Sequence, residues 1–241
     1  MSLYRKCRRL IRKLQPRFPR TPHEPLDVTL ARARRAWMKA MGPYRNSNDM
    51  VMLPDYPPLA AEHLANCRVV PSRQDILAQL PKGPVCAEVG VQAGNFSRTI
   101  LDICQPAELH LVDWELDTYG IARRFAAEID SGIVTLHQGD SSTMVDTFAD
   151  GRFDFIYIDA NHSHEGVARD IAAAHRKIRP GGLLIFNDYT FWSPVECMPY
   201  GVMHAVHEFC LAEGWEFVLL SLNGYGYFDV ALRRRGDAGL Q

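Results

Sequence analysis

The chain has 241 residues, of which 23% are charged and 47% hydrophobic, with a formal net charge of −1. This composition excludes a wholly disordered or collagen-like chain, and the length suffices for an α/β domain whose core needs no disulfide or metal staple. The near-zero sum hides a split: residues 1–40 carry 12 Lys and Arg against Glu24 and Asp27, a net +10, whereas residues 41–241 carry a net −11.

Residues 3–14, LYRKCRRLIRKL, put Leu3, Cys7, Leu10, Ile11 and Leu14 at helical spacing with bases on the other face. A short basic amphipathic helix of this kind docks on an anionic membrane surface or an acidic partner. The same stretch also fits a solvated arm, because it is short and has no aromatic anchor beyond Tyr4. Pro16, Pro19, Pro22 and Pro25 break any helix. Residues 27–41 return to a helical pattern, and residues 42–60, rich in Pro and Asn, read as irregular. The expected organisation is a basic arm and linker over 1–40, an irregular lead-in over 41–71 and the main domain over 72–235.

From about residue 72 apolar runs alternate with helical segments. Strands are predicted at 85–90, 108–114, 133–138, 153–159 and 182–188, with helices at 94–104, 118–130, 141–149 and 164–178. This alternation predicts a parallel sheet covered on both faces. A helix over 202–213 then precedes two apolar runs separated by Asn223-Gly224, a hairpin signal that brings the last strand in antiparallel. The expected fold is a Rossmann-like, doubly wound α/β sheet of seven strands, mostly parallel, with a C-terminal antiparallel hairpin strand. None of the six cysteines makes a C-x-x-C pair, which favours reduced thiols. Neither a transmembrane-length apolar run nor a signal-peptide h-region is present, so a cytoplasmic protein is expected, with a membrane-peripheral position through its arm as the alternative; the Arg-rich start also fits an organellar transit peptide.

Five successive strands each end in an acid: Glu88, Asp113, Asp140, Asp159 and Asp188. Open α/β sheets bind ligands at that carboxyl edge. Any one of these acids serves as well to cap the next helix. Glu88 opens Glu88-Val-Gly90-Val-Gln-Ala-Gly94, where the glycines let the backbone approach a ligand at a helix N-terminus. The spacing is neither G-x-G-x-x-G nor a phosphate-binding P-loop. Asp113 is placed to accept both hydroxyls of a ribose, and Gly139-Asp140-Ser141 to frame an adenine edge.

E-x-G-x-x-x-G, the acid after the second strand, GDS after the third and the terminal hairpin resemble the class I S-adenosylmethionine-dependent methyltransferases over roughly residues 70–233. IDANHSHEGVARDI (158–171) and RPGGLLIFNDY (179–189) are similar to the subgroup carrying Ile-Asp-Gly-Asp-His-Ser-Tyr-Glu-Gly, which includes O-methyltransferases of sugars and natural products. The resemblance implies that Glu88, Gly90 and Gly94 hold the methionine part of S-adenosylmethionine, Asp113 the ribose, and Asp140 with Ser141 the adenine. It also implies a Mg2+ site at Asp159, Asn187 and Asp188, all hard oxygen donors. Two departures weigh against the full pattern. Asn187 stands where magnesium-dependent relatives often have an Asp, and Asn161 where some have a general base, a role its amide cannot fill.

His162 and His164 are the replacements at hand, and the expected catalytic pair is His162 with Asp159. Tyr189, Trp192 and Tyr200 follow the fifth strand, where they either stack on an acceptor or pack inside. His204 and His207, with Glu208, have metal-like spacing but no third ligand nearby in sequence; one exposed and one packed histidine is the expectation. The expected function is O-methylation of a small-molecule or glycan hydroxyl. A catalytically silent cofactor-binding or scaffold protein is the alternative that Asn161 and Asn187 leave open. A nucleotide-dependent oxidoreductase has the wrong glycine spacing, and a nucleic-acid partner is not expected for a body of net charge −11.

Overall fold

The computed structural model describes residues 25–41 and 57–237, so the expected basic helix over 3–14 lies outside the described residues. The chain divides into two units, residues 1–53 and 54–241. In the first, helix α1 (Leu26–Met41) matches the predicted segment. It starts directly after Pro25, whose carbonyl accepts from Val28 N at 3.1 Å and Thr29 N at 3.2 Å. Asp27 in its first turn and Lys39 in its last complement the helix dipole. No helix among the described residues is long and apolar enough to cross a membrane.

The second unit runs, in chain order, β1 (Arg68–Val70), α2 (Arg73–Ala78), β2 (Val85–Val89), α3 (Asn95–Cys104), β3 (Glu108–Asp113), α4 (Ile121–Arg124), α5 (Ala126–Asp130), β4 (Val134–Gln138), α6 (Ser141–Asp146), β5 (Phe153–Ile158), α7 (His164–Ala174), β6 (Ile178–Tyr189), β7 (Trp192–Ser193), β8 (Met198–Pro199), α8 (Val202–Glu213), β9 (Trp215–Ser221) and β10 (Phe228–Arg234). Eight strands form one sheet in the order β1-β9-β10-β6-β5-β2-β3-β4, and β7 and β8 form a separate small hairpin. The expected seven strands are therefore corrected to eight. The added strand, β1, lies in the stretch expected to be irregular and pairs parallel with β9. The terminal strand enters as expected: β10 lies between β6 and β9 and is antiparallel to both. Its connection to β9 occupies residues 222–227 with a short 3-10 turn rather than a two-residue hairpin.

The strands read as continuous apolar runs because both faces are covered. In β5, Phe155 and Tyr157 face one cluster while Ile156 and Ile158 face the other; in β6, Leu183 and Ile185 alternate with Leu184 and Phe186 in the same way. One cluster takes Ile76 of α2, Ile100 of α3 and Ile121 of α4; the opposite one takes Val145 of α6, Val167 of α7 and Val206 of α8. The predicted helix over 118–130 is instead two short helices broken at Phe125, whose fully buried ring is drawn into the first cluster. The five cysteines among the described residues are free. Strand β2 sits centrally, with β3 and β4 on one side and β5 and β6 on the other, so the chain changes winding direction at its carboxyl end. That crevice is where open sheets of this kind hold ligands.

Candidate active site

Gly90 closes β2 with φ at 95°, and a Cβ there would lie 1.9 Å from the Asp159 carbonyl oxygen. Its own N–H donates to Val112 O at 2.8 Å, and Asp159 N donates to Val89 O at 2.7 Å. The three strand ends are thus laced together by backbone at a point that only glycine fits. Gly94 caps α3 with φ at 70°; a Cβ would meet the Phe125 ring at 2.7 Å, so its smallness serves packing as well as the turn. Glu88 points inward. It is 1% exposed, accepts from the Ser97 hydroxyl, and burial pushes its carboxyl up to about 8.

Asp113 ends β3 and holds the glycine loop from across the crevice. Its Oδ2 accepts from Val91 N at 2.7 Å and Gln92 N at 2.9 Å, and its Oδ1 from Glu115 N at 2.9 Å. Oδ1 has a lone pair left, so it retains the capacity to accept a hydroxyl. The next residue, Trp114, is 62% exposed, and Tyr119 is 44% exposed. Sequence reasoning passed over both; an aromatic directly after a strand-end acid was the available signal.

Asp140 is the N-cap of α6. Its Oδ1 takes Thr143 N, Thr143 Oγ1 and Ser142 Oγ, bonds that hold its pKa below the ordinary value. Ser141 turns its hydroxyl away from the crevice, donating to Asp170 Oδ1 at 2.6 Å. Asp170 is 2% exposed, its Oδ2 has no hydrogen-bond partner, and burial raises its pKa to about 6. Because the folded state holds this proton more tightly than the unfolded chain, the contribution of Asp170 to stability is complete below its ordinary pKa of 3.8 and is lost as pH rises through 6. Asp170→Asn, which keeps an acceptor for Ser141, is therefore expected to gain stability relative to the parent between pH 4 and pH 8. The relative gain is about 2–3 kcal/mol, read by urea unfolding at both pH values. A parent-to-variant difference that stays constant with pH would show that Asp170 does not titrate in the fold.

Asp159, His162 and Asp188 converge at the ends of β5 and β6. His162 Nε2 lies 3.5 Å from Asp159 Oδ1 and 3.5 Å from Asp188 Oδ2. The ring stacks on Tyr200, with centroids 4.6 Å apart and planes 5° from parallel. Burial works against protonation of this imidazole, but Asp159, Asp188 and Glu196 outweigh it, and the pKa is raised. Asp188 itself is pushed up to about 6 by burial, and its backbone sits in the left-handed region at φ 54°. A non-glycine residue held there stores strain, which tends to concentrate at functional sites.

The remaining candidates are brought elsewhere. Asn161 accepts from Ser163 N at 2.9 Å and lies over Gly166, where a Cβ would come within 2.5 Å of its Cγ; it shapes the start of α7. His164 leaves the crevice and pairs with Glu208. Tyr189 packs inside with its hydroxyl 2.6 Å from His207 Nε2. Asn187 is buried, and its amide donates to Asp229 Oδ1 at 3.2 Å. The expected magnesium set of Asp159, Asn187 and Asp188 does not fit a bound ion well. The space between the two carboxylates is taken by an imidazole with a raised proton affinity, and Asn187 is fixed by the bond its amide nitrogen donates to Asp229.

Beneath this edge lies a buried polar network that sequence reasoning missed. Asp229 receives the Tyr157 hydroxyl, the Asn187 amide, and the Asn223 amide at 2.5 Å; burial lifts its pKa to about 7. Asn223 Oδ1 in turn accepts from Arg73 N at 3.0 Å. The Arg73 guanidinium lies 4.3 Å above the Phe96 ring and 3.5 Å from the Tyr157 hydroxyl. Burial opposes its charge, but Tyr157, Asp229 and Asp159 more than offset this, so its pKa is raised. Arg73, Asn187, Asp188, Glu196, Tyr200 and Tyr227 are among the residues lining an open pocket of about 610 Å³.

Residues 87–189 match the family model of a methyltransferase domain. A search of the curated proteins found no match. Among solved structures, the chain is similar to an O-methyltransferase family protein from Burkholderia thailandensis, with a TM-score of 0.53 and 13% identity, covering 67% of this chain and 55% of that one. The alignment thus spans little more than half of the Burkholderia protein. A SAM dependent methyltransferase from Aquifex aeolicus aligns with a TM-score of 0.51 and 15% identity over 67% of this chain and 89% of that one. A tRNA methyltransferase from B. subtilis aligns with a TM-score of 0.51 and 16% identity over 70% and 67%. At these identities the likeness shows the fold, which is the Rossmann-like α/β fold of methyltransferases.

Proposed function

We propose that the chain is an S-adenosylmethionine-dependent methyltransferase acting on a hydroxyl of a small molecule or glycan. The observation that carries this reading is the adjacency of two half-sites on one sheet edge. On one side, Gly90 and Asp113 frame a crevice that continues past the exposed Trp114 to Asp140. On the other, His162 and Asp188 stand beside a pocket lined by aromatic and polar side chains. The domain match over 87–189 contains all five strand-end acids.

Bound in the crevice, S-adenosylmethionine would supply an electrophilic methyl on a sulfonium, and the acidic edge suits that positive charge. Asp113 would accept a ribose hydroxyl at the lone pair left on Oδ1, and the faces of Trp114 and Tyr119 are open to a flat base. Asp140 offers Oδ2, which its capping bonds leave open. The acceptor lies in the pocket, where Tyr200 and Tyr227 give ring surface and Arg73, Asn187 and Glu196 give hydrogen-bonding groups. That mixture matches a polyhydroxylated ligand. With its imidazole neutral, His162 would take the hydroxyl proton, and Asp159 and Asp188 would hold the imidazolium that forms, as the acceptor oxygen bonds to the methyl carbon and the methyl–sulfur bond breaks to leave a neutral thioether.

Calorimetry with S-adenosylmethionine tests the reading. The parent is expected to bind, and Asp113→Ala to weaken binding by about 1–3 kcal/mol, because it removes a charged acceptor and also frees the loop at Val91 and Gln92. An absence of binding at millimolar cofactor would sink the enzyme reading in favour of a silent scaffold. Unchanged affinity in Asp113→Ala would remove only the ribose assignment.

A further inference from the structure

The two histidine signals left over from the sequence meet on the surface. His204 and Glu208 lie one turn apart on α8, and His164 comes from the start of α7 to complete the set. His164 Nε2 is 2.7 Å from Glu208 Oε2, and His204 Nε2 is 3.0 Å from Glu208 Oε1. The two imidazoles stand with ring centroids 4.2 Å apart. One ligand atom from each residue falls within 4.8 Å of the others, the only such set of three His, Cys, Asp or Glu side chains among the described residues. Sequence spacing alone offers only His204, His207 and Glu208. The fold substitutes His164 for His207, which is buried against Tyr189.

We propose that His164, His204 and Glu208 bind a borderline divalent transition metal ion such as Zn2+. Two imidazoles and one carboxylate suit such an ion rather than Mg2+, which prefers an all-oxygen shell. The three side chains are part-exposed, at 35%, 22% and 48%, so water completes the shell and the ion has an entry path. The site joins two elements that approach very closely. A Cβ on Gly201, just before α8, would lie 2.1 Å from His164 N, and Gly201 N donates to His162 O at 2.7 Å. Tyr200, one residue earlier, stacks on His162. An ion here clips the start of α7, which follows the loop carrying His162, to α8, which follows the segment carrying Tyr200, and so stiffens the acceptor side of the crevice without touching it.

The test uses the tag-free, metal-stripped full chain titrated with Co2+ alone, followed by visible absorption, with calorimetry for Zn2+. One equivalent is expected to bind, with a spectrum of nitrogen and oxygen ligation and no thiolate band. Zn2+ should displace the Co2+ and a hundredfold excess of Mg2+ should not. Zn2+ should also raise the Tm and slow amide exchange over residues 160–164 and 200–206. His204→Ala and Glu208→Ala should each weaken Co2+ binding at least tenfold. If either fails to fold when metal-free, Glu208→Gln, which keeps the side chain's size, is expected to show the same loss. Failure of the parent to bind, a thiolate spectrum, or parent-like affinity in the variants would overturn the site. Binding with no change in amide exchange would overturn the clip.

Discussion

Gly90→Ala is expected to disable the crevice, and Gly83→Ala to leave it intact. The two glycines make nearly the same conformational demand, with φ at 95° and 74°. Their surroundings differ. A Cβ at Gly83 meets nothing within 4 Å, so the substitution costs only the left-handed backbone, about 1–2 kcal/mol. At Gly90 the Cβ would lie 1.9 Å from the Asp159 oxygen and 2.4 Å from its carbonyl carbon, and neither backbone atom can rotate away. Relief requires β2 and β5 to separate at their carboxyl ends, which breaks the bond from Asp159 N to Val89 O. Strain and overpacking together come to roughly 2–6 kcal/mol. The same movement displaces Asp159 and His162 relative to Asp113, and a misplacement of about 1 Å costs roughly a hundredfold in a positioned site. Urea unfolding gives the first quantity and S-adenosylmethionine calorimetry on the folded fraction the second. If the two alanine variants prove equally stable and bind equally well, the close approach at Gly90 is not what shapes the crevice.

This contrast also shows what the sequence conveys and what it withholds. Strand positions from 85 to 189 are legible to within a few residues because strands buried on both faces are continuous apolar runs. Their order of winding follows from the helices between them. β1 is not legible: Arg68-Val69-Val70 is a three-residue edge strand with two exposed positions, and only pairing with β9, some 150 residues later, makes it a strand. The five acids at the strand ends are legible as positions. The directions of the neighbouring polar side chains are not, because they depend on distant partners. Ser141 turns to Asp170, Asn187 to Asp229 and His164 to Glu208, and none of those partners is marked by local spacing. Arg73 shows the same limit. After Ser72 it looks like any residue in a capped first turn, and its contact with Tyr157, 84 positions away, exists only in the folded chain.

His162→Ala should lower turnover by about 10²–10⁴-fold, the range for loss of a positioned acid–base group, while S-adenosylmethionine affinity stays within about twofold. The separation is expected because His162 belongs to the β5–β6 side of the crevice. It lies 3.5 Å from Asp159 and from Asp188 and stacks on Tyr200, whereas the ribose and adenine positions proposed above are framed by Asp113, at the end of β3, and Asp140, the N-cap of α6. Removing the ring leaves two carboxylates facing each other without the cationic group between them, which further favours protonation of Asp188, already raised to about 6. The variant therefore loses both the imidazole and the ionised form of its neighbour, and Asp188 does not substitute as base. Single-turnover transfer of labelled methyl to a hydroxylated acceptor that the parent uses reads the chemical step directly. Asp188→Asn provides the comparison. It keeps an oxygen toward the ring but removes one of the charges favouring the imidazolium, so its loss should be smaller than that of His162→Ala. Equal turnover in His162→Ala and parent would assign proton removal to another group. A matching loss in cofactor affinity would instead make His162 part of the cofactor site.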